Sequence, residues 1–363
     1  MPNRDAPTRS IWRNPDGHSV TVIDQTHLPH RYQERVLQTV DDVAHAIRTM
    51  VVRGAPLIGA TAAYGVCFGV RADPSDAALT DTIETLQATR PTAVNLQRAL
   101  TDLAGILADL PPGERADAAF ARAEAICEED IRINAAIGEH GLKLIHEIAA
   151  NHAPVQILTH CNAGRLATVA WGTALAPVYL AQNAGLPLHL WVSETRPRNQ
   201  GAALTTWELD AGGVPYTVIA DNAAGHLLQR GLVDLVITGA DRTLPTGDVC
   251  NKIGTYLKAL AAREHGVPFY AAVPSPSIDW ALCDPLAIPI EERDEDEVTT
   301  ATGIAPDGQR TTVRLTPHGA PAANYAFDVT PAKLVTGLIT ERGICSASPQ
   351  GLRSLFPERF ADA

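Results

Sequence analysis

VQILTHC, residues 155–161, is an apolar run of strand length that ends on a lone cysteine; Asn162-Ala163-Gly164 follow, and then an alanine-rich helical pattern. Four runs of the same texture come after it: LHLWVSE (188–194), YTVIAD (216–221), DLVITGAD (234–241) and FYAAVP (269–274). Helical patterns of about 10 to 20 residues separate the first four and precede the fifth. Continuously apolar strands are buried on both faces, and strands alternating with helices make a mostly parallel sheet. The spacing therefore predicts an α/β fold, with a Rossmann-like, mostly parallel sheet domain over residues 151–363.

Upstream the texture differs. From Val40 to about Ala150 the pattern is helical, with segments such as AVNLQRALTDLAGILADL (93–110) and a loop at Pro111-Pro112-Gly113, while SIW (10–12) and SVTVIDQTHLP (19–29) read as short strands. This predicts a smaller, mainly helical N-terminal domain over residues 1–150 carrying a minor sheet. A chain of 363 residues suits two such units, since domains tend to run to about 100–200 residues.

Twenty-nine basic against 41 acidic residues leave a formal charge of −12, which opposes binding to a nucleic-acid backbone or an anionic membrane surface. A small metabolite is the better-matched partner. The six cysteines are scattered without a C-x-x-C pair, and the first residues do not resemble a signal peptide, so reduced thiols and a cytoplasmic location are expected. Gly54–Val70 is the longest apolar stretch; it is interrupted by Thr61 and Tyr64 and is read as a buried helix.

In open α/β sheets ligands bind beyond the carboxyl ends of the strands. Here those ends carry Cys161, Glu194-Thr195-Arg196, Asp221-Asn222 and Gly239-Ala240-Asp241-Arg242. Asp221 and Asn222 also suit turns and helix caps. A thiol just before a helix starting near Gly164 would feel the positive end of the helix dipole, and a neighbouring cation would lower its pKa further. His160 alternates to the opposite face and is a poor partner for Cys161.

RGAPLIGA (53–60) sets Arg53 beside Gly54 and Ala55, with Pro56 suited to a first helical turn, so backbone amides, dipole and guanidinium together make an anion site. Arg90 in TRPTAVNL and Lys252 in NKIGTYLKALAA, at the start of an expected helix, are further candidates. Neither G-x-G-x-x-G nor a Walker A pattern occurs. The acidic run IEERDEDEV (290–298) lacks the register of a calcium loop and reads as a solvated loop, and the 12 histidines show no metal-ligand spacing.

RGAPLIGATAAYG, TRPTAVNL, ILTHCNAGRLAT, SETRPRNQGAALTTWEL, VITGADR, NKIGTYLKALAA and FDVTPAKLVTGLITERG resemble, in order, the methylthioribose-1-phosphate isomerases of methionine salvage, from Asp24-Gln25 to about Gly343. Tyr325, where that family more often has proline, is the one departure noted. The resemblance implies Cys161 and Asp241 as the catalytic pair and Arg53, Gly54, Ala55, Arg90, Gln200, Asn251 and Lys252 as the residues that hold the phosphorylated sugar. It also implies a homodimer with no metal and no organic cofactor. In the chemistry it implies, Asp241 is an acid whose pKa burial raises, and Cys161 is a thiolate base at C2 of the sugar. Two rivals share the fold: ribose-1,5-bisphosphate isomerase, and the non-catalytic regulatory subunits of the initiation-factor nucleotide exchanger.

Overall fold

The computed structural model of the protein describes residues 9–360. Its first element is a three-stranded antiparallel sheet in the order β1 (Ile11–Arg13), β2 (Val20–Ile23), β3 (Glu34–Leu37). The third strand, ERVL, was not expected; only Leu37 in it is buried, so it carries no apolar alternation.

Five helices follow: α1 (Val40–Arg48), α2 (Ala55–Ala72), α3 (Asp76–Gln87), α4 (Val94–Ala108) and α5 (Pro112–Ala149). A reciprocal cap starts α1: Asp42 N–H donates to Thr39 Oγ1 (3.1 Å) and Thr39 N–H to Asp42 Oδ2 (3.1 Å). Among the described residues α2 alone is long and apolar enough to cross a membrane, but 83% of it is buried, packed by the other four helices. The expected loop at Pro111-Pro112-Gly113 is shorter than it reads, because Pro112 already opens α5, its fixed φ being pre-set for a first turn.

The remaining strands are β4 (Val155–Thr159), β5 (Leu188–Ser193), β6 (Tyr216–Ile219), β7 (Leu235–Thr238), β8 (Arg242–Thr243), β9 (Val249–Lys252), β10 (Phe269–Ala272), β11 (Thr300–Ile304), β12 (Arg310–Arg314), β13 (Phe327–Thr330), β14 (Gly337–Thr340) and β15 (Gly343–Cys345). Helices α6 (Ala176–Asn183), α7 (Thr206–Gly212), α8 (Ala223–Gln229) and α9 (Thr255–Glu264) lie between them. Seven strands form one sheet in the order β15-β14-β10-β7-β4-β5-β6. All neighbours are parallel except the terminal β14–β15 pair. All five strands expected from the sequence lie in it.

Within the sheet, adjacent residues bury in opposite directions: Ile157 and Ile237 join one apolar cluster, Leu158 and Val236 another, as the two-residue pleat requires. The chain leaves β4 toward β5 and β6, then returns to place β7 on the other side of β4 and continues to β10 and β14. Connections that part in opposite directions open a crevice at the carboxyl ends of β4 and β7.

Helix α5 belongs to two cores. Ala119, Phe120, Ala123 and Cys127 pack with α2–α4, whereas Ile137 and Ile145 pack under the sheet. Replacing the fully buried Ile137 by alanine should therefore lower stability by about 2–5 kcal/mol. Urea denaturation measures it; an unshifted midpoint would contradict the placing of α5 against the sheet.

Candidate active site

The crevice between β4 and β7 leads into a recess of ≈ 70 Å³. Cys161 and Asp241 line it from the two strand ends; Arg53, Gly54 and Ala55 from the start of α2; Arg90 from the loop before α4; Gln200 from the turn after β5; Asn251 and Lys252 from β9. All nine residues singled out from the sequence thus meet in one place. The recess opens on a wider cleft of ≈ 530 Å³, with Met50, Arg53 and Gln200 at the junction.

Cys161 stands just past the end of β4 with φ +64°, a left-handed conformation uncommon outside glycine. Its N–H donates to Thr195 Oγ1 (2.9 Å), and its carbonyl accepts from Thr205 Oγ1 (2.8 Å). The helix expected near Gly164 is only a 3₁₀ turn, Arg165–Ala167, and the first α-helix after β4 begins at Ala176. The cations beside the thiol are Arg53 and Lys252, and the helix N-terminus at the recess is that of α2 and not of a helix following β4. Burial, the larger effect, holds the thiol above its ordinary pKa, while Arg53 and Lys252 pull it back.

Asp241 faces the same recess. Burial raises its carboxyl above the usual carboxylate value, against the opposing charges of Lys252, Arg90 and Arg53. That direction agrees with the expected acid.

The wall expected to hold an anion is preformed. Gly54 has φ +90°, and a Cβ there would lie 2.5 Å from Ala167 Cα, so only glycine brings the backbone this close. No side chain caps the N-terminus of α2, which leaves its first amides for a ligand. Arg53 has a different task from the free bidentate donor expected: its Nε donates to Gln25 Oε1 (3.0 Å), and Nη1 and Nη2 donate to the Asn162 carbonyl (2.9 and 3.1 Å), with Nη2 also on Asn162 Oδ1. It ties the Cys161 loop to α2 and acts on the cavity mainly through its charge. Arg90 donates from Nη2 to Glu291 Oε2 (2.8 Å), and its buried Nε has no partner. Lys252 is buried with Nζ 4.7 Å from the Phe327 ring centroid. Asn251 donates to Thr255 Oγ1 (3.0 Å), and the buried Gln200 Oε1 is unpartnered.

Several sequence readings change. Asn251 and Lys252 end strand β9 and do not start a helix; α9 begins at Thr255. Its N-terminus is closed by Asp328, which accepts from Gly254 N–H (2.6 Å) and Tyr256 N–H (3.1 Å). The acidic run is not simply solvated: Glu291 holds Arg90 and Arg293, and Glu297 holds Arg198 and Arg293. Asp221 is a brace, accepting from Ser193 Oγ and from the amides of Thr195 (2.8 Å) and Arg196 (2.7 Å). His160 donates from Nε2 to the Ile253 carbonyl (2.7 Å), away from the thiol. Tyr325 is exposed and does not line the recess.

Glu208 was missed altogether. Fully buried, it accepts from Asn162 Nδ2 (2.8 Å), Arg165 N–H (2.7 Å), Leu166 N–H (3.1 Å) and the Tyr179 hydroxyl (2.8 Å). In the sequence it is one glutamate in a helical stretch, and no spacing marks it. No group of three or more metal-ligating side chains is assembled among the described residues.

An uncapped helix N-terminus, buried cations, a thiol and a raised carboxyl at the parting of a parallel sheet define a site for a small phosphorylated ligand with acid–base chemistry. The chain belongs to the initiation factor 2 subunit family, whose model matches residues 51–347. It is 61% identical to a methylthioribose-1-phosphate isomerase of Rhodospirillum rubrum, over 98% of this chain and 93% of that protein. With the protein of the same name from Methylobacterium nodulans it shares 62% identity, over 97% of each. The solved 5-methylthioribose 1-phosphate isomerase of Pyrococcus horikoshii OT3 superposes with a TM-score of 0.83 at 39% identity, covering 99% of this chain and 98% of that one. Translation initiation factor eIF-2B, subunit delta, from A. fulgidus superposes at 0.77 with 36% identity, covering 97% and 99%.

The electrostatics of Cys161 can be read by alkylation. Iodoacetamide modification of Cys161, followed by peptide mass to separate it from the exposed Cys283, should speed up through an alkaline midpoint. Because Lys252 lowers the thiol pKa, Lys252→Met should move that midpoint to higher pH. A midpoint below neutrality, or one that Lys252→Met leaves in place, would contradict this balance of burial and charge.

Proposed function

We propose that the protein is an aldose–ketose isomerase that converts 5-methylthioribose 1-phosphate to 5-methylthioribulose 1-phosphate in methionine salvage. The observation that carries this reading is the meeting of Cys161 and Asp241 in one recess with an uncapped helix N-terminus and buried cations. The names of relatives about 60% identical over nearly the whole chain support it.

A sugar phosphorylated on its anomeric oxygen cannot open to a free aldehyde, so the ring must be opened by the enzyme. Asp241 gives its proton to the ring oxygen as the bond from that oxygen to C1 breaks, and Cys161, as thiolate, removes the proton from C2. The enol formed has its double bond between C1 and C2. Cys161 then returns its proton to C1, and Asp241 takes the proton of the C2 hydroxyl, giving the ketone and restoring both groups. Arg53 and Lys252 favour the thiolate through their charge, and burial favours the protonated acid. The phosphate lies on the first turn of α2 near Arg90 and Lys252, and Gln200 and Asn251 take sugar hydroxyls.

A Rossmann-like C-terminal unit over 151–363, a helical unit over 1–150, a homodimer and a cytoplasmic location complete this reading. Two separate apolar clusters support two units, although they part within α5, between Cys127 and Ile137, so that the helix is shared between them. A purely regulatory role would leave the paired thiol and acid without use.

Turnover of 5-methylthioribose 1-phosphate and ribose 1,5-bisphosphate, measured side by side, should strongly favour the first; equal or better use of the bisphosphate would overturn the substrate assignment. Cys161→Ser and Asp241→Asn should each lower kcat by at least about 100-fold with native circular dichroism. Near-normal turnover in either would remove that residue from the chemistry.

A further inference from the structure

Cys161 occupies its left-handed backbone conformation between two hydroxyls. Thr195 and Thr205 are both fully buried, and they grip the two ends of the same residue: Thr195 Oγ1 accepts the Cys161 N–H (2.9 Å), and Thr205 Oγ1 donates to the Cys161 carbonyl (2.8 Å). Each hydroxyl is oriented by a further bond. Thr195 spends its own proton on the Ser193 carbonyl (2.9 Å), which turns its lone pairs toward Cys161. Thr205 Oγ1 also accepts from Asn162 Nδ2 (3.2 Å).

The two threonines are brought there by unusual backbone. Thr195 has φ +70°, and Thr205 ends a single π-helical turn, Gly201–Thr205, placed immediately before α7. Such turns are rare and concentrate at functional sites. This one is pressed against the end of β5 so closely that a Cβ on Gly201 would sit 1.8 Å from the Ser193 carbonyl oxygen. One wide turn thereby directs Gln200, which precedes it, into the recess and Thr205 onto Cys161.

We infer that Thr195 and Thr205 are positioning residues that clamp the backbone of Cys161 and so hold its thiol beside Arg53 and Lys252 in the recess. The inference rests on the reading of Cys161 as a reacting group, but the clamp itself has a readout independent of turnover. With the clamp open, Cys161 relaxes toward ordinary backbone angles, and its sulfur moves out of the cationic field that favours its ionised form.

The test is Thr205→Val, which keeps the shape and loses the donor, beside Thr205→Ser, which keeps the hydroxyl. Thr205→Ala removes the donor without adding bulk, should the valine disturb the packing, and Thr195→Val removes the acceptor at the other end. Thr205→Val should lower kcat by about tenfold or more with KM little changed, as for a group acting only when the reaction proceeds. The midpoint of Cys161 alkylation, set by burial and by the two cations together, should shift in the valine and alanine variants and return in the serine variant. An unchanged midpoint with unchanged kcat in Thr205→Val and Thr195→Val would overturn the clamp, even if melting temperature falls, since a merely structural threonine moves only the melt. A shifted midpoint with unchanged kcat would keep the clamp and count against Cys161 as a reacting group.

Discussion

The constraint on which the site depends is the divergence of the chain at β4 and β7. Once β5 is laid on one side of β4 and β7 on the other, no connection covers the carboxyl ends of the central pair. Cys161 and Asp241 are the polar residues left at those two ends, and the crevice between them is where α2 and β9 add their charges. The place of the site follows from topology before any particular side chain is considered.

Keeping an irregular loop rigid at that point takes several buried polar groups. Glu208 gathers four donors from the segment after Cys161 and from α6, Arg53 fastens Asn162 from the helical side, and Asp221 braces the turn after β5. Each would be expensive to bury alone. Together they leave the cavity lined by groups already oriented, so little reorganisation is needed when charge develops on a ligand. Neither of the two carboxylates that brace the loops, Glu208 and Asp221, lines the recess, where Asp241 is the carboxyl that burial raises.

What was legible in the sequence was what apolar periodicity and motif order record. The five central strands and the helical texture of the N-terminal half were visible in this way, and the motif order marked the residues that converge on the recess. β3, β14 and the edge strand β15 were not recognised. The short 3₁₀ turn after Cys161 passed for a helix because Arg165-Leu166-Ala167 has good helical composition, whereas the Glu208 contacts dictate a loop there. Lys252 was placed on a helix because NKIGTYLKALAA is helical in composition; pairing of β9 with β13 overrides that preference. The brace residues were invisible because a buried carboxylate facing backbone amides leaves no spacing in the chain. The opposing effects at the thiol were only half visible: proximity of cations can be guessed from motifs, but depth of burial cannot.

The central claim is that a sugar phosphate sits across the divergence of β4 and β7, with its phosphate on α2 and its reacting carbons between the two strand ends. The most direct measurement is a crystal structure of the Cys161→Ser variant soaked with 5-methylthioribose 1-phosphate. The phosphate is expected on the amides of the first turn of α2, near Arg90 and Lys252, with the ring oxygen within hydrogen-bond distance of Asp241 and C2 facing position 161. A sugar phosphate lodged only in the wider outer cleft, with neither Asp241 nor position 161 in contact with it, would contradict the account.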